Sequence, residues 1–389
     1  MRNARRRVCF PIMSRIHYAR QKNLLRLLKA HPKIELQLVA GGSMLLERYA
    51  EKFLPAIKKD GFQIKEALFN VIEGGHHVAM ARTAGLAALE FSNVLYRLNP
   101  EIVLIRGDRF EQLALAMVAA YLNKTIAHIE GGDLTGTVDE SVRHAITKLS
   151  HIHFVTNEPA RRRLVQMGEN PKRVFNVGSP DTEFASLVKK KFHPATVNDS
   201  GVGHTVDFKK PFAVVMYHPV TTELTNRENT EKLLKAVGDL NMQAIWFWPN
   251  NDAGTAEIAK AIRVYREKGF LRNDKIRFVT DILPDDFIAL LKKSSVFVGN
   301  SSAGIKECSY LGVPAVNIGT RQQNRLRGPN VLDVHNDSKA IKAAIEKQLR
   351  RGPYKPSLIY YRPDTSKKIA DILSKTDLYV QKKFYERQS

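Results

Sequence analysis

The chain has 389 residues, 43% of them apolar, and no apolar run approaches the roughly 18–20 residues that cross a bilayer, which argues against a membrane-spanning class. Two cysteines, Cys9 and Cys308, are too few for a disulfide framework and stand in no metal-ligand spacing. The net charge of +22 would suit nucleic acid, an anionic membrane surface or an anionic substrate, but the cations are scattered, clustering only at Arg5–Arg7, Arg161–Arg163 and Lys189–Lys191 without interleaved aromatics, so no nucleic-acid or membrane partner is expected.

At this length two domains are the expectation, because a single core rarely grows beyond about 250–300 residues. A basic opening leads without a small-residue cleavage pattern into Val8–Met13, which reads as a strand and implies a cytoplasmic chain. Gln21–Ala30 reads as a helix with Leu24, Leu25, Leu27 and Leu28 on one side, Ile34–Ala40 as the next strand, and Thr83–Leu98 as a helix. Glu101–Ile105 then runs apolar without alternation, as a strand covered on both faces does, and stops at Gly107-Asp108-Arg109. Phe110–Asn123 follows as a helix, and Thr125–Ile129, His151–Thr156 and Val174–Val177 as strands. Residues 186–210 break the pattern with three lysines, Pro194, Gly201 and Gly203, and read as an interdomain connection or a surface insertion. A second alternation has strands at Phe212–Tyr217, Ala244–Trp248, Ile276–Val279, Val296–Val298 and Pro314–Ile318, with helices at Thr230–Leu240, Thr255–Lys268, Pro284–Lys293 and Glu307–Leu311. Lys367–Phe384 reads as a helix that packs back on the body. The predicted division is therefore an α/β domain over 1–185, a connection over 186–210, a second α/β domain over 211–365 and a C-terminal helix over 366–389. Ligands of such doubly wound sheets lie beyond the carboxyl ends of the strands.

The stretch from His128 to His144 concentrates chemistry at one strand end. It holds Glu130, Asp133, Asp139 and Glu140, spaced by Gly131, Gly132 and Gly136, and glycine lets a ligand approach the main chain. It reads equally as a strand end, a turn and a helix capped by Asp139 or Ser141. Gly299-Asn-Ser-Ser-Ala-Gly304 would aim free amides, two hydroxyls and a helix N-terminus at one place, which suits phosphate, with Glu307 a turn later able to reach a ribose; a plain N-cap at Ser301 or Ser302 is the alternative. Arg15, Arg109 and Arg321 each follow an apolar strand, and three guanidinium forks facing one cleft would neutralise a diphosphate. His218, between a strand and Pro219, can bond phosphate or act as an acid/base. His76 and His77 read as a helix entry, His151 and His153 as one face of a strand, and Trp246 and Trp248 as core. Neither a Gly-x-Gly-x-x-Gly turn nor a Gly-Lys-Ser/Thr loop is present.

Taken together, Gly107-Asp-Arg109, Ile129-Glu-Gly-Gly-Asp133 with Gly136-Thr-Val-Asp-Glu-Ser-Val-Arg-His144, His218-Pro-Val-Thr-Thr222, Pro249-Asn-Asn-Asp-Ala-Gly254, Gly299–Gly304 and Gly319-Thr-Arg-Gln322 resemble the hydrolysing UDP-N-acetylglucosamine 2-epimerases over nearly the whole chain. The resemblance implies two Rossmann-like, doubly wound α/β domains facing across a cleft (GT-B-like), usually a homodimer or homotetramer. It implies conversion of UDP-N-acetylglucosamine and water into N-acetylmannosamine and UDP, with no metal or nicotinamide cofactor. By the same resemblance Asp108, Glu130 and Asp139 would be catalytic, with His218. UDP would be held by Arg15, Arg109, His218, Asn250, Ser301, Ser302, Gly304, Glu307 and Arg321, and His144 would tune the carboxylates. The first loop departs from the family: Arg15-Ile-His-Tyr-Ala19 has His17 where an acid is usual and Ala19 where a small polar residue is, which keeps a UDP-diacetamido sugar open as substrate. A non-hydrolysing epimerase and a glycosyltransferase on the same fold are further alternatives.

Overall fold

The computed structural model describes residues 5–267 and 275–386, and shows two seven-stranded sheets, one in each half of the chain. In the first lobe β1 (Arg6–Ile12), β2 (Ile34–Gly41), β3 (Ile64–Leu68), β4 (Ile102–Arg106), β5 (Thr125–Ile129), β6 (Ile152–Val155) and β7 (Val174–Asn176) lie in the order β3-β2-β1-β4-β5-β6-β7, all parallel. In the second lobe β8 (Gly201–Gly203), β9 (Phe212–Met216), β10 (Gln243–Phe247), β11 (Ile276–Val279), β12 (Val296–Gly299), β13 (Ala315–Ile318) and β14 (Val331–Val334) are ordered β14-β13-β12-β9-β10-β11-β8. Only β8 runs antiparallel to its neighbour. Both sheets reverse their winding once, between β1 and β4 and between β9 and β12, and each reversal opens a crevice at the strand ends.

The period of two along β1 explains how one strand serves two cores. Val8, Phe10 and Ile12 pack with Leu24, Leu25 and Leu28 on one face, while Cys9 and Met13 pack with Phe91, Leu95 and Leu115 on the other. Strands β4 and β5 are buried at every position, including Arg106 at the end of β4 and His128 within β5, as strands covered on both faces are. Helix Pro284–Lys293 shows the local rules plainly: proline at the start, Asp285 and Asp286 in the first turn, Lys292 and Lys293 in the last.

Several expected boundaries move. The first helix is Arg15–Ala30, so Arg15 is its first residue, and the third is His77–Leu98, with the His76 side chain capping Ala79 N–H. Residues 186–210 are not a bare connection: Gly201–Gly203 adds a strand to the second sheet, and Val197 and Val206 join a core with Phe212 and Val279. The tail helix is shorter than expected, Thr365–Lys375, and it inserts Ile369 and Leu373 against the first sheet. The residues after it form an irregular strap that returns to Gly168, where Tyr385 N–H meets the Gly168 carbonyl at 2.9 Å. The helix expected to reach Lys268 is Thr255–Glu267, and Lys268 itself lies outside the described residues. Both cysteines are free and buried, with the Cys9 thiol pushed up to about 12 by burial, which leaves it unreactive. No helix among the described residues is long and apolar enough to cross a membrane.

Candidate active site

The strand exits at the two winding reversals face each other, and two adjoining hollows lie between them. The larger, about 940 Å³, is lined by Arg15, Arg109, His218, Asn250, Ser301 and Glu307, together with Phe184, Phe247, Ile282 and Phe287. The smaller, about 400 Å³, is almost entirely polar and is lined by Asp108, Glu130, Asp139, Arg143, Ser302, Lys306, Arg321 and Arg325. Arg20 lines both. A mostly apolar hollow beside a charged one suits a ligand with a flat, weakly polar end and a strongly polar end.

Three carboxylates in the polar hollow sit in three different environments. Glu130 follows β5 with φ +73°, a backbone angle unusual for a side chain with a Cβ, and such strain gathers at functional positions. Its Oε1 accepts from Lys306 Nζ at 2.6 Å and Ser179 Oγ at 3.0 Å, and its Oε2 lies 3.0 Å from Arg106 Nη2. Burial opposes its charge, but Arg106 and Lys306 outweigh burial and hold the carboxyl well below its usual range. Asp108 is likewise held low against burial by Arg143, which donates to Oδ2 from Nε at 3.0 Å and also from Nη2. Asp139 has the opposite fate: burial and the nearby Asp108 charge push it up to about 6, with Arg321 Nη2 only as close as 3.9 Å.

Hydroxyls, amides and an imidazole able to meet an anion are concentrated where β9 and β12 end. Asn300, wholly buried, clamps the two exits by accepting from His218 N–H and donating to the His218 carbonyl, both at 2.8 Å. Asn250 N–H donates to His218 Nδ1 at 3.3 Å, which leaves Nε2 as the protonated nitrogen. Burial and the cations Arg321, Arg15 and Arg20 keep that ring neutral, well below its ordinary value, so it presents a donor without a charge. Ser301 caps the following turn through Ala303 N–H, and Ser302 Oγ accepts from Arg20 Nη1 at 3.2 Å.

The sequence model of the UDP-N-acetylglucosamine 2-epimerase family matches residues 26–374. The chain belongs to that family. It is 32% identical over 380 residues to the UDP-N-acetylglucosamine 2-epimerase of Neisseria meningitidis serogroup B, covering 96% of this chain and 97% of the relative. It is equally 32% identical, over 377 residues and 97% of each chain, to the hydrolysing UDP-N,N'-diacetylbacillosamine 2-epimerase of Legionella pneumophila. Its fold matches the crystal structure of a Neisseria meningitidis UDP-GlcNAc 2-epimerase bound to UDP-GlcNAc, with a TM-score of 0.75, 15% identity and coverage of 95% and 100%. The Methanocaldococcus jannaschii UDP-GlcNAc 2-epimerase in complex with UDP-GlcNAc and UDP gives 0.71 at 16% identity, covering 95% and 99%. The two-sheet α/β architecture is thus the GT-B-like one of these epimerases.

In this family member most of the residues singled out by sequence meet at the cleft, and a few already hold protein partners there or stand outside the two hollows. Arg109 is tied by Glu111, at 3.1 and 3.3 Å, and by Asp252 across the cleft at 3.2 Å, so its charge is already matched. Arg15 stacks on Tyr49 and pairs with Asp281 at 3.1 Å, which makes it a bridge between lobes. Gly304 lines neither hollow; a Cβ there would come 2.8 Å from the Phe297 ring, so this glycine serves close packing of the turn on β12. His144 also lines neither hollow and faces Glu140 at 4.0 Å; its neighbour Arg143 is the residue that grips Asp108. Helix Val138–Leu149 is capped by Thr137, not by Asp139 or Ser141, which leaves the Asp139 carboxylate free to face the cleft. Glu307 pairs with Arg20 at 2.8 Å through Oε1, while its buried Oε2 has no partner and remains able to accept from a ligand hydroxyl. Sequence reasoning missed Arg20, Arg106, Arg143, Asp181 and Lys306; Asp181 is fully buried and binds Arg106 through both oxygens at 2.9 Å.

Proposed function

We propose that this family member is a hydrolysing 2-epimerase that converts UDP-N-acetylglucosamine and water into N-acetylmannosamine and UDP. The observation that carries this reading is the junction of the hollows at Ser301 and Ser302: hydroxyls, the neutral His218 and Arg20 stand on one side, and three carboxylates of divided acidity stand on the other. In this reading the second lobe, 211–365, holds UDP in the larger hollow, and the first lobe, 1–185, surrounds the anomeric end of the sugar. The C1–O bond breaks with its electron pair leaving on UDP, and the cationic C1 acidifies the C2 hydrogen. A carboxylate takes that proton to leave a glycal. Water then adds, hydroxyl to C1 and a proton to the opposite face of C2. Asp139, at about 6, is suited to exchange a proton near neutral pH, and Asp108 and Glu130 are suited to stay charged beside the cationic centre.

The Glu130-Gly-Gly form with Gly136-Thr-Val-Asp139 supports the hydrolysing branch, as does a relative named hydrolysing at 32% identity. A second reading, the same chemistry on a UDP-diacetamido sugar, is favoured by that relative and by His17 and Ala19 in the first loop. The test is incubation with each UDP-sugar in heavy water followed by NMR. A free sugar with inverted, deuterated C2 plus UDP is expected; a retained UDP-sugar of inverted C2 means a non-hydrolysing enzyme, and unlabelled products mean a transferase. Asp108→Asn and Glu130→Gln are each expected to lower turnover about 10³-fold or more while UDP still binds by calorimetry, and near-full rates would overturn the carboxylate assignment.

A further inference from the structure

Lys306 is almost wholly buried and interrupts two short helices, Ser302–Ile305 and Glu307–Leu311, that follow the Ser301 turn. Its backbone belongs to the second lobe, where its N–H donates to the Ser302 carbonyl at 2.9 Å. Its side chain crosses to the first. The ammonium passes the Tyr360 ring, 5.8 Å from the centroid, and donates to Glu130 Oε1 at 2.6 Å, with Asp181 Oδ2 at 3.8 Å and Asp133 Oδ2 at 3.9 Å. All three carboxylates are carried by first-lobe elements. Arg20 makes the reverse crossing, from a first-lobe helix to Ser302 Oγ and Glu307, and both cations meet at Asp181 Oδ2, Arg20 at 3.3 Å. Stability alone does not account for a buried lysine there, because an apolar side chain of similar volume in place of a buried ion pair is often as stable or more so.

We propose that Lys306 is a positioning residue that locks the Glu130 carboxylate, charged and in its left-handed backbone pose, to the turn carrying Ser301 and Ser302. The nucleotide-holding turn and the carboxylate are then one unit, set only when the two lobes are closed. The proposal rests on the catalytic reading given above for Glu130. Other charged or titratable groups face Glu130 as well: Arg106 on β4, Asp108 at its exit, Asp181 on the helix Pro180–Leu187, Arg325 after β13, Tyr360 and His17. Of the cations that touch its oxygens, Arg106 comes from the first lobe and Lys306 from the second.

The experiment compares the full chain with Lys306→Met, Lys306→Arg and the double variant Lys306→Met/Glu130→Gln. UDP affinity by calorimetry is expected to stay within about threefold in all three, because Ser301, Ser302, His218 and Arg20 are untouched. In Lys306→Met kcat is expected to fall about 100-fold, the scale of a misplaced catalytic group, and the acid limb of the kcat–pH profile to move to higher pH as Glu130 loses a cation. Lys306→Arg is expected to recover part of the rate and return the limb. The double variant is expected to be no slower than Glu130→Gln alone, and it keeps the test open if Lys306→Met fails to fold, since it removes both charges. Turnover within threefold of the parent, a slowed Lys306→Met with an unmoved pH limb, or losses that simply multiply in the double variant would each overturn the proposal. Failure of the parent to release a C2-inverted sugar would instead overturn the reaction, whatever Lys306 does.

Discussion

Burial and the charge of Asp108 push the Asp139 carboxyl up to about 6, from an ordinary 3.8. A carboxyl raised on folding carries a penalty that is absent below its unfolded value and complete above its folded one, so stability is lost as pH rises from about 4 through 6. Asp139→Asn should therefore stabilise the fold at pH 8 and leave it unchanged at pH 4. About a third of the side chain faces solvent, which screens the effect, so the gain is about 1 kcal/mol, or about 2 °C in thermal midpoint. Paired melts at the two pH values check this, and an equal change at both would contradict it. Carbon NMR of the labelled carboxyl should also find its titration near 6 in the parent and lower in Asp108→Asn, because the repelling charge is gone. This carboxylate, like Asp108, Glu130 and Ser301, stood out in the sequence because glycines mark those strand ends, and His218 because it lies between a strand and Pro219. Arg20, Arg106, Arg143 and Lys306 did not. Arg20 falls one residue before the expected helix start at Gln21, close to Lys22, Arg26 and Lys29, and its partners Asp181 and Glu307 come from distant elements.

At the scale of elements, one close joint between the lobes is made by backbone. The acidic loop passes the Gly319-Thr-Arg321 loop so closely that a Cβ on Gly136 would fall 2.0 Å from the Thr320 carbonyl oxygen, and Gly136 N–H points at the Arg321 carbonyl, 3.3 Å away. A side-chain clash can be relieved by a rotamer change; a backbone carbonyl must carry its loop with it. Gly136→Ala is expected to destabilise by about 1–3 kcal/mol and, by drawing Arg321 from Asp139, to cost about 100-fold in kcat/KM with secondary structure intact. Steady-state rates and circular dichroism decide it, and an unchanged rate would show that the loops separate freely. Strands in the middle of each sheet were readable from their apolar, unalternating runs, the Ile102–Ile105 run of β4 above all. Of the four edge strands only β7 was read: Ile64–Leu68 has only Leu68 fully buried, Val331–Val334 none, and the three residues Gly201–Gly203 carry no apolar pattern, since pairing to β11 is what makes them a strand. The Ser338–Arg351 helix escaped notice although Ile341, Ala344 and Ile345 give it a buried stripe.

For the molecule as a whole, the net charge of +22 has a local counterpart in the cleft. Six cations, Arg20, Arg106, Arg143, Lys306, Arg321 and Arg325, line the polar hollow against the three carboxylates Asp108, Glu130 and Asp139. An anionic nucleotide approaching this face meets attraction from the surface field first and from the hollow second. The two contributions respond differently to salt. Raising ionic strength from 0.1 to 1 M shortens the Debye length from about 10 to about 3 Å, which removes the long-range attraction but scarcely reaches buried pairs such as Lys306 with Glu130. The association rate of UDP, followed by stopped flow, should therefore drop about tenfold or more over that range, and kcat/KM with it wherever encounter limits the rate. The dissociation rate and kcat, governed by groups already inside the cleft, should change by less than about twofold. A salt-independent association rate would mean that the surface charge is neutralised along the approach path, and a parallel collapse of kcat would mean that screening reaches the ion pairs joining the lobes.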